Sequence, residues 1–126
     1  MAMKSFRVVY AEDDVEVRAC VATMLVEHGL AVHECSNGEE AARLCSVFRP
    51  DAVLLDLSMP KVDGCEAARR IREQQGRDIR LVALTGRGDA ALKDAARAGF
   101  DELVRKPSSV ETILGALRVS EPSTAA

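Results

Sequence analysis

The residue types that could do chemistry in this chain of 126 residues stand at the ends of short apolar runs. Glu12 and Asp13 follow the first run, Asp56 the third, Thr85 the fourth and Lys106 the fifth. Brought together, these groups would suit phosphoryl chemistry, because a metal ion and an amine neutralise phosphate oxygens while a carboxylate acts as nucleophile. Carboxylates in one crevice repel one another, and their hard oxygens suit Mg²⁺. Asp56 is the best candidate nucleophile, because an apolar strand would aim it into the crevice.

Apolar runs alternate with helical patterns along the whole chain. The run at residues 52–55 is continuously apolar, as expected of a strand that is covered on both faces. Five strands alternating with five helices predict an α/β fold: a flavodoxin-like, doubly wound, five-stranded parallel sheet of order 2-1-3-4-5 in three layers. The predicted strands are 7–11, 31–35, 52–55, 79–84 and 100–104, and the predicted helices are about 15–28, 39–48, 67–75, 90–98 and 110–119.

Capping and turn residues mark the helix boundaries. Asp13 or Asp14 is a candidate N-cap of the first helix, and Gly29 stands where that helix should stop. Asn37 and Gly38 mark a turn before the second helix. The first helix has one stripe at positions i, i+4, i+7 and i+11, formed by Val17, Val21, Met24 and His28.

The topology predicts where a ligand binds. Ligands of such sheets bind at the carboxyl ends of the strands, near the switch point between strands 1 and 3. These strands are neighbours, so Asp13 and Asp56 should face each other across one crevice. Lys106 could pair with one of these carboxylates, or with an anion bound beside it.

Composition disfavours several other functions. The chain has 17 Lys plus Arg and 20 Asp plus Glu, a net charge of −3, and no cluster of basic residues, which argues against direct nucleic-acid binding. It contains no apolar run of about 18 residues, so membrane insertion is not expected. The first residues lack a signal-peptide pattern, which predicts a cytoplasmic protein.

The cysteines and histidines offer no further site. No Cys-x-x-Cys pair occurs, so a zinc site is not expected. His28 and His33 stand apart from the acidic crevice in this topology and are taken as surface or satisfied residues. We expect reduced and mostly buried thiols at the four cysteines, Cys20, Cys35, Cys45 and Cys65.

Several motifs, in this order and spacing, give the chain a family resemblance. Over about residues 6–119 it resembles the receiver domain of two-component response regulators. Residues 1–5 would be an N-terminal extension and residues 120–126 a flexible tail. The motifs are the acidic residues 12–14, the phosphoacceptor-like loop 55–64, Leu84-Thr85-Gly86, Ala98-Gly99-Phe100-Asp101 and Lys106-Pro107.

The resemblance implies a phosphoacceptor and a metal site. Asp56 would take a phosphoryl group from a phosphohistidine on a histidine kinase or a histidine phosphotransfer protein. Asp13 and Asp56 would hold Mg²⁺, with Glu12 acting through water and Ser58 through its backbone carbonyl. Ser58 is also a variable position that flanks the route of attacking water.

The resemblance also implies how the phosphoryl group is bound. Thr85 and Lys106 would contact its oxygens, and the peptide bond between Lys106 and Pro107 would be cis, as in most relatives. Arg87, two residues after Thr85, is a second variable position beside the water route. Leu103 departs from the pattern, because many receivers have an aromatic switch residue there; any signal would then travel by loop and helix shifts.

The resemblance implies a signalling module rather than an enzyme with a separate substrate. The seven residues after 119 are too few for an output module, which leaves a stand-alone response regulator or a receiver cut from a longer chain such as a hybrid histidine kinase. In either case a phosphorylation-dependent shift would control a partner or attached output. A homodimer through the fourth helix, fifth strand and fifth helix is common in relatives.

Two other functions stay open at this point. A receiver-like module that acts without phosphorylation would have lost an acidic or lysine position, and none is lost here. A small phosphatase of the haloacid-dehalogenase type also places an aspartate after an apolar strand. Such enzymes usually carry a second acid where this chain has Ser58, and they are longer.

Overall fold

The computed structural model describes residues 5–57, 59, 63–76, 78–86, 95–106 and 108–119. The predictions made for Ser58, for Arg87 and for the peptide bond to Pro107 lie outside these residues, as do those for residues 1–4 and for the tail at 120–126.

Five parallel strands form one sheet, with helices between them in the chain. The sheet order is β2-β1-β3-β4-β5, which confirms the predicted doubly wound topology. The strands are β1 Arg7–Ala11, β2 Ala31–Cys35, β3 Ala52–Asp56, β4 Arg80–Thr85 and β5 Glu102–Arg105. The helices are α1 Val15–Glu27, α2 Gly38–Phe48, α3 Gly64–Gln75, α4, described over residues 95–98, and α5 Val110–Leu117.

Helices cover both faces of the sheet, as the continuously apolar third strand predicts. Val53 and Leu55 belong to the core shared with α2 and α3. Ala52 and Leu54 point to the opposite core, shared with α1 and α5. All four side chains are fully buried. Asp56 therefore lies at the end of a strand that is packed on both faces.

The predicted stripe of α1 is not its buried face. Ala22 and Leu25 are the buried residues of this helix, whereas Val17 and His28 are exposed, and Val21 and Met24 are half-buried. Apolar residues occur on several sides of α1, so periodicity alone did not single out one face. Packing against the sheet and α5 selected the face of Leu25.

Two side-chain caps define the start of α1 and α2. The Asp14 carboxylate accepts hydrogen bonds from the backbone N–H groups of Glu16 and Val17, so Asp14, not Asp13, is the N-cap of α1. Asn37 caps α2, and Gly38 is the first residue of that helix. The predicted turn is therefore a helix start.

The fifth strand begins two residues later than predicted. The backbone N–H of Phe100 donates to Ala95 O at 3.4 Å, so this residue belongs to the turn after α4 and not to the strand. The backbone N–H of Asp101 donates to Leu81 O, and β5 follows from Glu102. Helix α5 ends at Leu117, because Arg118 has a left-handed conformation with φ of 55°.

The thiols differ in burial. Cys35 and Cys45 are buried, Cys65 is half-buried and Cys20 is exposed on α1, and all four are free. The expectation of mostly buried thiols thus holds for only two of them. Among the described residues, no helix is long and apolar enough to cross a membrane.

Candidate functional site

The structure brings the predicted acidic residues together at the carboxyl edge of the sheet. Glu12 and Asp13 follow β1, and Asp56 ends the neighbouring strand β3. One carboxylate oxygen from each residue lies within 4.8 Å of the others. Thr85 ends β4 and Lys106 follows β5, so each side chain leaves the same edge.

The three acids of the loop between β1 and α1 differ in burial and in hydrogen bonding. Glu12 is 1% exposed, its backbone N–H donates to Cys35 O at 3.1 Å, and its Oε2 accepts from the backbone N–H of Asp14 at 3.2 Å. Asp14 is occupied with capping α1. Asp13 is exposed to solvent. The site therefore has one fixed, buried carboxylate and one exposed carboxylate on the same loop.

Asp56 is held by a close approach of the α3 N-terminus. Gly64, the first residue of α3, donates its N–H to Leu57 O at 3.3 Å. A Cβ on Gly64 would lie 2.5 Å from Asp56 O and 2.9 Å from Leu57 Cα, which a side chain cannot do without displacing the backbone. Sequence reasoning treated this glycine only as part of a loop, and its place in the phosphoacceptor-like motif was the available signal.

Lys106 joins two of the carboxylates. Its Nζ donates to Glu12 Oε1 at 2.9 Å and to Asp56 Oδ2 at 3.0 Å. Partial burial lowers the pKa of Lys106, but the hydrogen bonds to Glu12 and Asp56 outweigh it and raise the pKa above its usual value. The ammonium stays charged, and in this structure it is paired with both carboxylates.

The pKa of Glu12 is raised at this concentration of negative charge. Burial and then the hydrogen bond with Asp56 raise the pKa of Glu12 to about 7, although Lys106 and the N–H of Asp14 oppose the shift. One ammonium therefore does not compensate the three acids fully. Carboxylate oxygens, one of them on an exposed side chain with room for water, form the donor set that Mg²⁺ prefers.

Thr85 and Leu103 lie on the side of α4. Thr85 is 1% exposed, and its carbonyl accepts the N–H of Lys106 at 2.8 Å, so these residues are tied together. Leu103 is half-buried and packs against a small cluster that includes Ala83 and Ala95. It already occupies space beside α4, and it has no ring or hydroxyl to switch.

Two further residues beside the site were missed from sequence. Arg18, on α1, donates to the main-chain carbonyl of Glu12. Tyr10 is fully buried on β1, and its hydroxyl has no hydrogen-bond partner in the part of the chain that the structure describes. Burial raises the pKa of Tyr10, followed by the charges of Glu12 and Asp56. It is the single tyrosine of a chain without tryptophan, and thus a reporter close to the acids.

A doubly wound sheet with an acidic cluster and a lysine at its carboxyl edge is the architecture of a receiver. The family model of the response regulator receiver domain matches residues 8–118, so the chain belongs to that family. It is a receiver domain of the kind found in response regulators of two-component systems.

Similar proteins share this architecture. The response regulator MprA of Mycolicibacterium vanbaalenii is 35% identical over 113 residues, which are 89% of this chain and 48% of MprA. The chain thus spans about half the length of the curated relatives it matches. The chemotaxis protein CheY4 of Vibrio cholerae has a TM-score of 0.85 at 26% identity, covering 93% of this chain and 100% of that one.

One solved neighbour bears on the metal. The receiver domain of the sensor histidine kinase PA1611 of Pseudomonas aeruginosa has a TM-score of 0.85 at 27% identity, covering 91% of this chain and 96% of that one. That structure has a magnesium ion coordinated in its active-site cleft. In the present chain, the acidic residues Glu12, Asp13 and Asp56 could hold a metal ion.

Proposed function

We propose that Asp56 accepts a phosphoryl group from a phosphohistidine on a histidine kinase or a histidine phosphotransfer protein. The observation that carries the proposal is the convergence of Lys106 Nζ, 3.0 Å from Asp56 Oδ2, and the oxygens of Glu12 and Asp13 on that carboxylate. Response regulators are phosphorylated by histidine kinases, and this chain has their receiver domain.

The transfer is an in-line displacement at phosphorus. An oxygen of Asp56 forms the new P–O bond as the P–N bond breaks; the electron pair stays on the imidazole nitrogen, which takes up a proton from solvent. Lys106 and Thr85 bind the oxygens of the transferred group, so negative charge is met by fixed donors. Bound Mg²⁺ supplies further neutralisation of the phosphoryl oxygens.

The metal would be held by the acidic cluster. Asp13 and Asp56 would bind it directly, Glu12 would act through water and Ser58 through its carbonyl oxygen. The fit rests on the three carboxylates, whose ligand atoms lie within 4.8 Å of one another. Ser58 and Arg87, which lie outside the described residues, would tune the loss of the phosphoryl group.

Phosphorylation would act by shifting loops and helices. Leu103 packs beside α4 without an aromatic ring, so we favour loop and helix shifts over an aromatic switch. The output is control of a partner protein or an attached domain, and a homodimer through α4, β5 and α5 is one form it would take. The cytoplasmic location stays a prediction.

Mass spectrometry of the intact protein tests the proposal. Wild type, Asp56→Asn and the exposed control Asp78→Asn are treated with acetyl phosphate, with and without Mg²⁺. We expect one added phosphoryl group, dependent on Mg²⁺, in wild type and Asp78→Asn and none in Asp56→Asn. Labelling of Asp56→Asn would overturn the assignment, and a wild type that is never labelled would favour the phosphorylation-independent module.

A further inference from the structure

We infer that Arg18 is a positioning residue that fixes the β1–α1 loop in the geometry that binds Mg²⁺. The inference rests on the proposed function, because the loop carries two of the three metal-binding acids, Glu12 and Asp13. Arg18 contacts no reacting group. Its effect is exerted through the main chain of Glu12.

Arg18 contacts two main-chain carbonyls of the loop that follows β1. Its Nη1 donates to Glu12 O at 2.7 Å, six residues back along the chain. Its backbone N–H donates to Asp14 O at 2.9 Å, as the first turn of α1 requires. The loop from Glu12 to Asp14 is thus bracketed by one residue, through both its side chain and its backbone.

Together with the sheet, this contact fixes both peptide groups of Glu12. The N–H of Glu12 is held by Cys35 O at 3.1 Å and its carbonyl by Arg18 at 2.7 Å. The carbonyl of Glu12 belongs to the peptide unit that leads into Asp13. Fixing it sets the direction in which the exposed Asp13 leaves the loop, although no contact touches that side chain directly.

A second partner explains why an arginine suits this position. Arg18 Nε lies 3.7 Å from Glu34 Oε1 on the edge strand β2, and the arginine side chain is only 20% exposed. A guanidinium offers several donors in a rigid plane, so one nitrogen faces Glu34 while another reaches the carbonyl.

The chain contains a matched control in Arg80. Its Nε donates to the carbonyl of Ala116, and its Nη2 lies 3.7 Å from Glu102 Oε1. Its side chain is 17% exposed and its acidic partner 46%, against 20% and 46% for Arg18 and Glu34. Arg80 starts β4, at the opposite edge of the sheet from the acids. Loss of either arginine removes one hydrogen bond to a carbonyl and one ion pair. Only Arg18 lies next to the proposed metal site.

The test compares Mg²⁺ affinity by calorimetry for wild type, Arg18→Gln, Arg18→Lys and Arg80→Gln, below the melting temperature of each. We expect Arg18→Gln to bind Mg²⁺ about tenfold more weakly, the usual lower limit for loss of a group that orients a metal ligand. Arg18→Lys keeps the charge but offers one donor nitrogen in place of two, so its affinity should lie between those of Arg18→Gln and wild type. Arg80→Gln should keep wild-type affinity.

The outcomes separate this inference from the proposed function. Unchanged affinity in Arg18→Gln, or an equal loss in Arg80→Gln, would overturn the role of Arg18 while leaving the metal site intact. A wild type that binds no Mg²⁺ would overturn the metal site as well. If Arg18→Gln does not fold, Arg18→Lys tests the role of Arg18. Wild-type Mg²⁺ affinity in Arg18→Lys would contradict the need for two donor nitrogens, one at Glu12 O and one at Glu34.

Discussion

Lys106 Nζ donates to Asp56 Oδ2 at 3.0 Å across 50 positions of the chain. The same ammonium lies 2.9 Å from Glu12 Oε1, so one cation is shared between two buried carboxylates. Lys106 and a metal ion would therefore neutralise the same charges. The predictions below follow from that arrangement and from the backbone contacts that support it.

Loss of the shared ammonium should destabilise the protein. In Lys106→Met, Glu12 and Asp56 keep their repulsion and lose a charged donor, so we expect the free energy of unfolding to fall by about 1–3 kcal/mol in EDTA. Mg²⁺ should raise the melting temperature more in this variant than in wild type. Arg97→Met, at an exposed cation of α4, should change stability by less than about 0.5 kcal/mol. Equal melting curves for both variants would contradict the shared role of Lys106.

Mg²⁺ should stabilise the folded protein, because the acids converge only in the fold. At a Mg²⁺ concentration tenfold above the dissociation constant, linkage gives about 1.4 kcal/mol. Asp13→Asn should lose most of this gain in thermal melts while its metal-free stability stays unchanged, since Asp13 is exposed. Asp14→Asn is the control, because asparagine also caps helices. An equal Mg²⁺ effect in Asp13→Asn and wild type would argue against Asp13 as a ligand.

The raised pKa of Glu12 predicts a pH dependence of stability. Burial raises this pKa from 4.5 in the unfolded chain to about 7 in the fold. Between these values the folded state binds more protons, so without metal the free energy of unfolding should fall as pH rises through this window. Glu12→Gln should lack this component in urea titrations at a series of pH values. A wild type and Glu12→Gln with parallel pH profiles would exclude a raised pKa.

The close approach at Gly64 predicts a strong effect of one methyl group. Gly64→Ala would place Cβ 2.5 Å from Asp56 O, so the backbone at Asp56 must shift, at a cost of about 1–3 kcal/mol. We also expect slower phosphorylation by acetyl phosphate. Gly115→Ala is the control, because Gly115 is exposed on α5, nothing lies within 4 Å of the added Cβ, and alanine favours a helix by about 0.5–1 kcal/mol. Wild-type stability of Gly64→Ala in urea would refute the close contact.

Asp101 should contribute more to stability than Glu66, because its partner Arg72 is more buried than the arginines paired with Glu66. Its Oδ2 accepts from Arg72 Nη2 at 2.7 Å and from the backbone N–H of Leu81 at 2.8 Å. Asp101→Ala removes this partner from a guanidinium that is only 14% exposed but keeps its main-chain acceptors, so we expect a loss of about 1–3 kcal/mol in urea unfolding. Glu66→Ala breaks two exposed pairs on α3 and should cost less than about 1 kcal/mol. The reverse order would show that the burial of Arg72 contributes little.

Local pattern was sufficient for the order of strands and helices and for the positions of the polar residues at strand ends. The continuous apolar run of β3 and the candidate cap at Asp14 are properties of adjacent residues, so they can be read without a fold. The parallel topology then follows from the alternation of elements. Even so, Asn37 was interpreted as a turn, because its capping role depends on a helix that begins one residue earlier than expected.

Contacts between distant segments decided the rest. The buried face of α1 was set by packing against the sheet and α5, and β5 starts late because Asp101 is bound to Leu81 and Arg72. The close approach of Gly64 and the donation from Arg18 to Glu12 depend on backbone positions, which no residue pattern encodes locally. Residue type shows what a group can do, but only the folded chain brings it to its partner, because each of these interactions requires a distance that many other residues together determine.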